Sequence, residues 1–202
     1  MIKNVVFDFG QVLVHFEPEY MCSCYLDDKD DIKLTADILF DRLYWDRLDM
    51  GTIEDEELIS AVKARLPKRL HDAAEKIYYN WYYNIPEIEG MRKVIALCRE
   101  KGFGVFLLSN ISRGFAERRN EIPILSELDG CIFSSTAGLI KPSREIFEHL
   151  CQSFDLTPSE TLFIDDNEQN VDGADKFGII AYHFDGNALT LYDYINGLPK
   201  IK

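Results

Sequence analysis

No stretch of this 202-residue chain is apolar for long enough to cross a bilayer, so a transmembrane helix is excluded. Basic residues are scarce: 22 lysines and arginines stand against 35 aspartates and glutamates. The resulting formal charge of -13 argues against nucleic acid or an anionic membrane surface as a partner. Cysteine is sparse and irregular. Cys22, Cys24, Cys98, Cys131 and Cys151 are odd in number and lie in apolar segments, so buried free thiols in a reducing cytoplasm are expected rather than a disulfide framework. No further Cys or His follows Cys22 and Cys24 at zinc-site spacing, which disfavours a metal-thiolate centre. The start of the chain lacks the apolar region and small-residue cleavage site of a secretory signal, and a cytoplasmic location is expected.

What remains is the composition of an ordinary folded protein, 47% hydrophobic and 28% charged, with length enough for one sizeable core, or for a core plus a smaller inserted subdomain. The stretch Asn4 to Phe16 is the most informative. Val5, Val6, Phe7 and Phe9 form a short β-favouring run with Asp8 set into its far end. An ionised carboxylate among such neighbours costs several kcal/mol unless a cation or a set of donors meets it. Gly10 follows, where the chain can turn sharply or approach a ligand.

From Pro18 to about Ile88 apolar residues recur at helical spacing, as in Leu34, Ile38, Leu39 and Leu43, and again in Leu58, Ile59, Val62 and Leu66. Thr52 with Asp55 reads as a helix start after Gly51. Tyr78, Tyr79, Trp81, Tyr82 and Tyr83 form an aromatic cluster suited to a subdomain core or to the mouth of a pocket. Beyond Pro86 strands and helices alternate: a helix over Glu89 to Lys101, the strand GVFLLSN, a helix around Ser112 to Asn120, the strand CIFSS, a helix over Pro142 to Phe154, the strand TLFIDD, a helix from Glu168 to Phe177 closed by Gly178, and the strand IIAYHF. Such alternation predicts an α/β fold whose mostly parallel sheet is covered on both faces, with residues 17–87 inserted as a helical cap on a core of residues 1–16 and 88–202.

In a parallel sheet all carboxyl ends share one edge, so Asp8, Ser109 with Asn110, Lys141, and Asp165 with Asp166 can meet in one crevice. Three carboxylates suit a hard cation such as Mg2+, which also answers the objection that so acidic a chain should repel an anionic substrate. Lys141, the Ser109 hydroxyl and nearby amides can bind phosphate oxygens, and Asp8 is a candidate nucleophile. Singly, each residue has a plainer use as a helix cap or a solvated loop residue.

The motifs FDFGQVL, LLSN, GLIKP and FIDDNEQNVDGADKFG, in that order, resemble the haloacid dehalogenase superfamily, whose first strand ends in DxDG[TV]L. The resemblance implies a Rossmann-like parallel sheet flanked by helices with an inserted helical cap. It also implies a Mg2+-dependent phosphatase acting on a small phosphorylated metabolite through an aspartyl-phosphate on Asp8. Asp8, the Gly10 carbonyl and Asp165 would hold the metal, Asp166 would support it, and Ser109, Asn110 and Lys141 would bind phosphate. One position departs: the family's acid/base aspartate, two residues after the nucleophile, is here Gly10. A similar FDxGxVL variant occurs in a bacterial subgroup that includes glucose-1-phosphate phosphatase, which makes a sugar phosphate the candidate substrate. Either the leaving groups need little protonation, or Gln11, His15 or Glu17 supplies the proton. The alternatives are a phosphate-binding protein with little turnover and a dehalogenase, the latter disfavoured by the acidic pair. Trp45, Asp46 and Arg47 are expected near the entrance.

Overall fold

Short apolar runs build the sheet. In the computed structural model, which describes residues 1–201, the strands are β1 (Asn4–Phe7), β2 (Gly104–Ser109), β3 (Gly130–Phe133), β4 (Thr161–Asp165) and β5 (Ile180–His183). They pair in parallel in the order β3-β2-β1-β4-β5, with Val6 of β1 opposite Phe106 on one side and Phe163 on the other. Val5, Val6, Phe7, Leu107, Leu108, Leu162, Phe163 and Ile164 are all fully buried, the continuous burial of strands covered on both faces. The expected Rossmann-like α/β architecture is therefore the one that forms.

Between β1 and β2 the chain is helical: α1 (Pro18–Ser23), α2 (Lys29–Leu39), α3 (Arg42–Asp49), α4 (Asp55–Arg65), α5 (His71–Asn80) and α6 (Met91–Glu100). After β2 come α7 (Arg113–Glu117), the single turn α8 (Ser134–Ala137), α9 (Arg144–Phe154), α10 (Glu168–Phe177) and α11 (Ala188–Asn196). Alternation along β1 sends Val6 to one face, where it packs with Ile146, Phe147 and Leu150 of α9 and Ala174 of α10. Val5 and Phe7 face the other cluster, which includes Met91, Val94 and Ile95 of α6 and Leu191 and Ile195 of α11. The segments leading into and out of α1–α5 run together: His15 N donates to Pro86 O at 2.9 Å and Ile88 N to Leu13 O at 3.0 Å.

Several details differ from the sequence reading. Asp41 accepts a hydrogen bond from Leu43 N and starts a new helix, so Leu43 leaves the apolar face of α2 and is 64% exposed. Thr52 does not cap α4; its hydroxyl donates to Arg47 O at 3.0 Å and Glu54 holds the cap position. Ser134 and Ser135 begin α8 rather than ending β3. Cys22, Cys98 and Cys151 are buried free thiols, but Cys24 is exposed and Cys131 only partly buried.

Candidate active site

β1, β2 and β4 end at one edge of the sheet, and the polar residues that close them converge there. Asp8 N donates to Ile164 O at 2.9 Å, which continues the β1–β4 ladder and sets Asp8 beside Asp165. Lys141 enters from the loop before α9. Its Nζ lies 2.8 Å from Asp8 Oδ1 and 2.6 Å from Asp165 Oδ2, and its side chain is only 1% exposed. Asn110 positions that lysine: its Oδ1 accepts from Lys141 N at 2.9 Å and its Nδ2 donates to Lys141 O at 3.1 Å. The Asn110 side chain, expected on phosphate, is thus engaged at both ends by the lysine backbone. Gly173 of α10 makes room for the same loop, since a Cβ there would lie 2.7 Å from the Pro142 carbonyl oxygen.

Asp165 is completely buried and held from several sides. Asn170 Nδ2 donates to both carboxylate oxygens, at 3.0 and 3.1 Å, and Asn167 N donates to Oδ1 at 2.9 Å. The dull reading of the acidic pair as caps fails because Asn167, not Asp165 or Asp166, caps α10. Asp8, Asp165 and Asp166 each offer an oxygen, all within 4.8 Å of one another. Just after Asp8 the Phe9 carbonyl accepts from Val12, Leu13 and Val14, curling the chain so that Gln11 sits at φ 56. The Gly10 carbonyl accepts none of these bonds and stays open. An all-oxygen set of this kind fits a hard divalent cation.

The charges explain the local proton affinities. Burial pushes the Asp8 carboxyl up, to about 7, against the pull of Lys141 and with a further push from Asp165. Burial alone would lower Lys141, but the two carboxylates outweigh it and hold its ammonium above the ordinary lysine range. Asp166 is raised by burial and by the charge of Asp165.

These groups open into a cavity of about 480 Å³ that Asp8, Gly10, Ser109, Asn110, Lys141 and Asp166 help to line. Its other lining comes largely from the segment between β1 and β2. Phe16 meets Phe40, Trp45 and Trp81 edge-on, with ring centroids 5.4 to 5.8 Å apart, and all four rings line the cavity. Asp46 lines it as expected, together with Arg42 at 2.7 Å from it, but Arg47 does not; its guanidinium pairs with Glu57 at 3.1 Å. Of the proposed substitutes for the missing acid, Gln11 lines the cavity but donates its amide to Phe16 O at 3.1 Å, while His15 and Glu17 are exposed and lie outside the lining. Asp49 lines it too, and sequence reasoning passed it over. The available signal was helical: Trp45, Leu48 and Asp49 fall on one face of α3, and all three are buried.

Residues 2–178 match the haloacid dehalogenase-like hydrolase family. The chain belongs to that family. As a haloacid dehalogenase-like hydrolase it is 26% identical to D-ribitol-5-phosphate phosphatase of Bacteroides thetaiotaomicron, across 93% of this chain and 94% of that protein. It is 23% identical to a sesquiterpene phosphatase of Aspergillus oryzae, across 93% and 92%. The structure of a HAD family enzyme from Bacteroides thetaiotaomicron, the wild-type protein in complex with magnesium and inorganic phosphate, superposes with a TM-score of 0.69 at 21% identity and covers 93% of this hydrolase and 96% of that chain. That likeness is one of fold.

Proposed function

We propose that this hydrolase is a Mg2+-dependent phosphatase that acts on a small phosphorylated metabolite. The observation that carries the reading is the buried Asp8–Lys141–Asp165 cluster, set at the carboxyl edge of the sheet and open to a cavity. Asp8 attacks phosphorus and displaces the alcohol, forming an aspartyl-phosphate that water then hydrolyses. Lys141 and the Ser109 hydroxyl bind phosphate oxygens, and Asn110 keeps Lys141 in place. Asp8, the Gly10 carbonyl and Asp165 would hold Mg2+, with Asp166 in support. The ion would offset charge on the transferring phosphoryl group.

Residues 17–87 serve as the cap that covers the site and selects the leaving group, on a core of residues 1–16 and 88–202. Trp45 and Trp81 in the cavity lining, with Arg42 and Asp46 beside them, suit the carbon skeleton and hydroxyls of a sugar or polyol phosphate, and D-ribitol-5-phosphate phosphatase among the relatives supports this class. The free thiols support a reducing compartment such as the cytoplasm. Gly10 favours one rival reading, a phosphate-binding protein without turnover.

Hydrolysis of p-nitrophenyl phosphate by wild type and Asp8→Asn, with and without Mg2+, separates the two. Metal-dependent release that is lost in Asp8→Asn is expected. Absence of release, or equal release by the variant, refutes catalysis on Asp8.

A further inference from the structure

Asp49 ends α3 inside the cavity. It is 4% exposed, and its Oδ1 has no hydrogen-bond partner among the described residues. Native proteins rarely leave a buried carboxyl oxygen without a partner, and a group left so at the wall of a reaction cavity is free to meet a substrate. Its backbone, by contrast, is tied down. Ser134 Oγ donates to Asp49 O at 2.5 Å and accepts from Ile111 N at 2.9 Å, linking the end of α3 to the chain just beyond Ser109 and Asn110. Gly51 brings this turn directly against α8, where a Cβ would meet Ser135 O at 2.5 Å.

An ester of an ordinary alcohol leaves poorly as an alkoxide, so its cleavage needs a proton donor at the bridging oxygen. Among the cavity acids, Asp8 is taken as nucleophile, Asp46 lies 2.7 Å from Arg42 with its side chain 51% exposed, and Asp166 lies in the carboxylate cluster with Asp8 and Asp165. Asp49 remains. We propose, resting on the phosphatase reading, that the Asp49 carboxyl is the catalytic acid and base of this hydrolase, supplied from α3 where Gly10 offers no side chain. As Asp8 Oδ bonds to phosphorus and the bridging P–O bond breaks, the Asp49 proton passes to the departing oxygen and the neutral alcohol leaves. The resulting Asp49 carboxylate then takes a proton from water as the water oxygen attacks phosphorus and the Asp8–phosphorus bond breaks. Phosphate and the original protonation state of Asp49 are restored.

The surroundings agree. Burial pushes Asp49 up to about 7; Arg42 on its own helix and Lys141 pull against this, and Asp46 and Asp8 add to it. Tyr78 of α5 also feels the Asp49 charge. The carboxyl can therefore carry a proton near neutral pH and give it up.

The test is kcat/KM with Mg2+ over a series of esters, from 2,4-dinitrophenyl phosphate to an unactivated sugar or alkyl phosphate. For Asp49→Asn a fall of about 10²- to 10⁴-fold is expected with the poor leaving group, against less than about tenfold with the dinitrophenyl ester. Asp49→Ser is a second variant without the acid and carries the same expectation. Adding Gly10→Asp to either should restore the poor ester, because Gly10 has no positive φ and a Cβ there meets only Phe16 Cβ, at 3.6 Å. An equal fall along the series, no fall, or a loss that Gly10→Asp leaves in place overturns the assignment while wild-type turnover leaves the phosphatase reading standing. A wild type that cleaves not even the activated ester overturns both.

Discussion

Replacing Asp49 by asparagine should stabilise the protein at high pH but not at low. In the folded chain burial raises the Asp49 carboxyl from the ordinary 3.8 to about 7, so the native state keeps a proton that the unfolded chain releases. A group raised in this way destabilises the fold progressively as pH climbs from the unfolded value to the folded one; below both values it has no effect. The difference of about three pH units, at about 1.4 kcal/mol each, sets a ceiling of about 4 kcal/mol at pH 8. The asparagine amide meets the same lack of partners as Oδ1, which returns about 1–3 kcal/mol of that gain. The pH dependence survives this correction because the amide does not titrate: between pH 5 and pH 8 the stability difference in favour of Asp49→Asn should grow by about 2.6 kcal/mol. Urea unfolding in EDTA measures it, as a midpoint difference that widens by about 1 M at a slope of about 2 kcal/mol/M. A difference that is constant with pH, or one that shrinks as pH rises, would refute the reasoning.

Other consequences follow from the same contacts. Lys141→Met strands the Asp8 and Asp165 carboxylates and should cost about 3–5 kcal/mol at neutral pH; unfolding within about 1 kcal/mol of wild type would contradict it. Ser134→Ala leaves the Ile111 amide and the Asp49 carbonyl without their shared hydroxyl and should cost about 1–3 kcal/mol, with faster hydrogen exchange at Ile111 as the local reporter. Exposed Cys24 should be the thiol that reacts rapidly with a disulfide reagent in the native protein. Burial closes off Cys22, Cys98 and Cys151 and pushes their thiols up to about 12, 12 and 11, so a rapid phase that survives Cys24→Ser would be the contrary result.

The sheet was legible because buried parallel strands are written as short apolar runs, and β1, β2 and β4 each end where a polar residue interrupts the run. α10 was legible to the residue over Glu168–Phe177, and Gly178 at φ 105 closes it as read, although its cap, Asn167, stood hidden beside two acids that looked equally suited. The segment before β2 was harder. The apolar spacing from Leu34 to Leu43 runs through a break that only Asp41 reveals, and a cap aspartate looks like any surface acid. The site residues named from strand ends lie together, because topology alone delivers every strand end to one edge. The cavity wall could not be derived that way. Phe16, Phe40, Arg42 and Asp49 belong to different turns of chain, and the packing of α2, α3 and α5 decides which of them face the cavity.

The central place of β1 has a consequence for the order of folding. β1 is the first strand made, yet its two neighbours come from far along the chain, Gly104 to Ser109 and Thr161 to Asp165. Until β4 emerges, β1 is an edge with one side unpaired, and Asp8 has no Asp165 beside it. The like charges of Asp8 and Asp165, with Lys141 between them in the folded protein, are thus brought together only by long-range closure. Such closure over more than a hundred residues is slow relative to local helix formation. The Asp8–Lys141–Asp165 cluster is therefore complete only after β4 has joined the sheet, a closure more distant in the chain than any contact within the helices between β1 and β2.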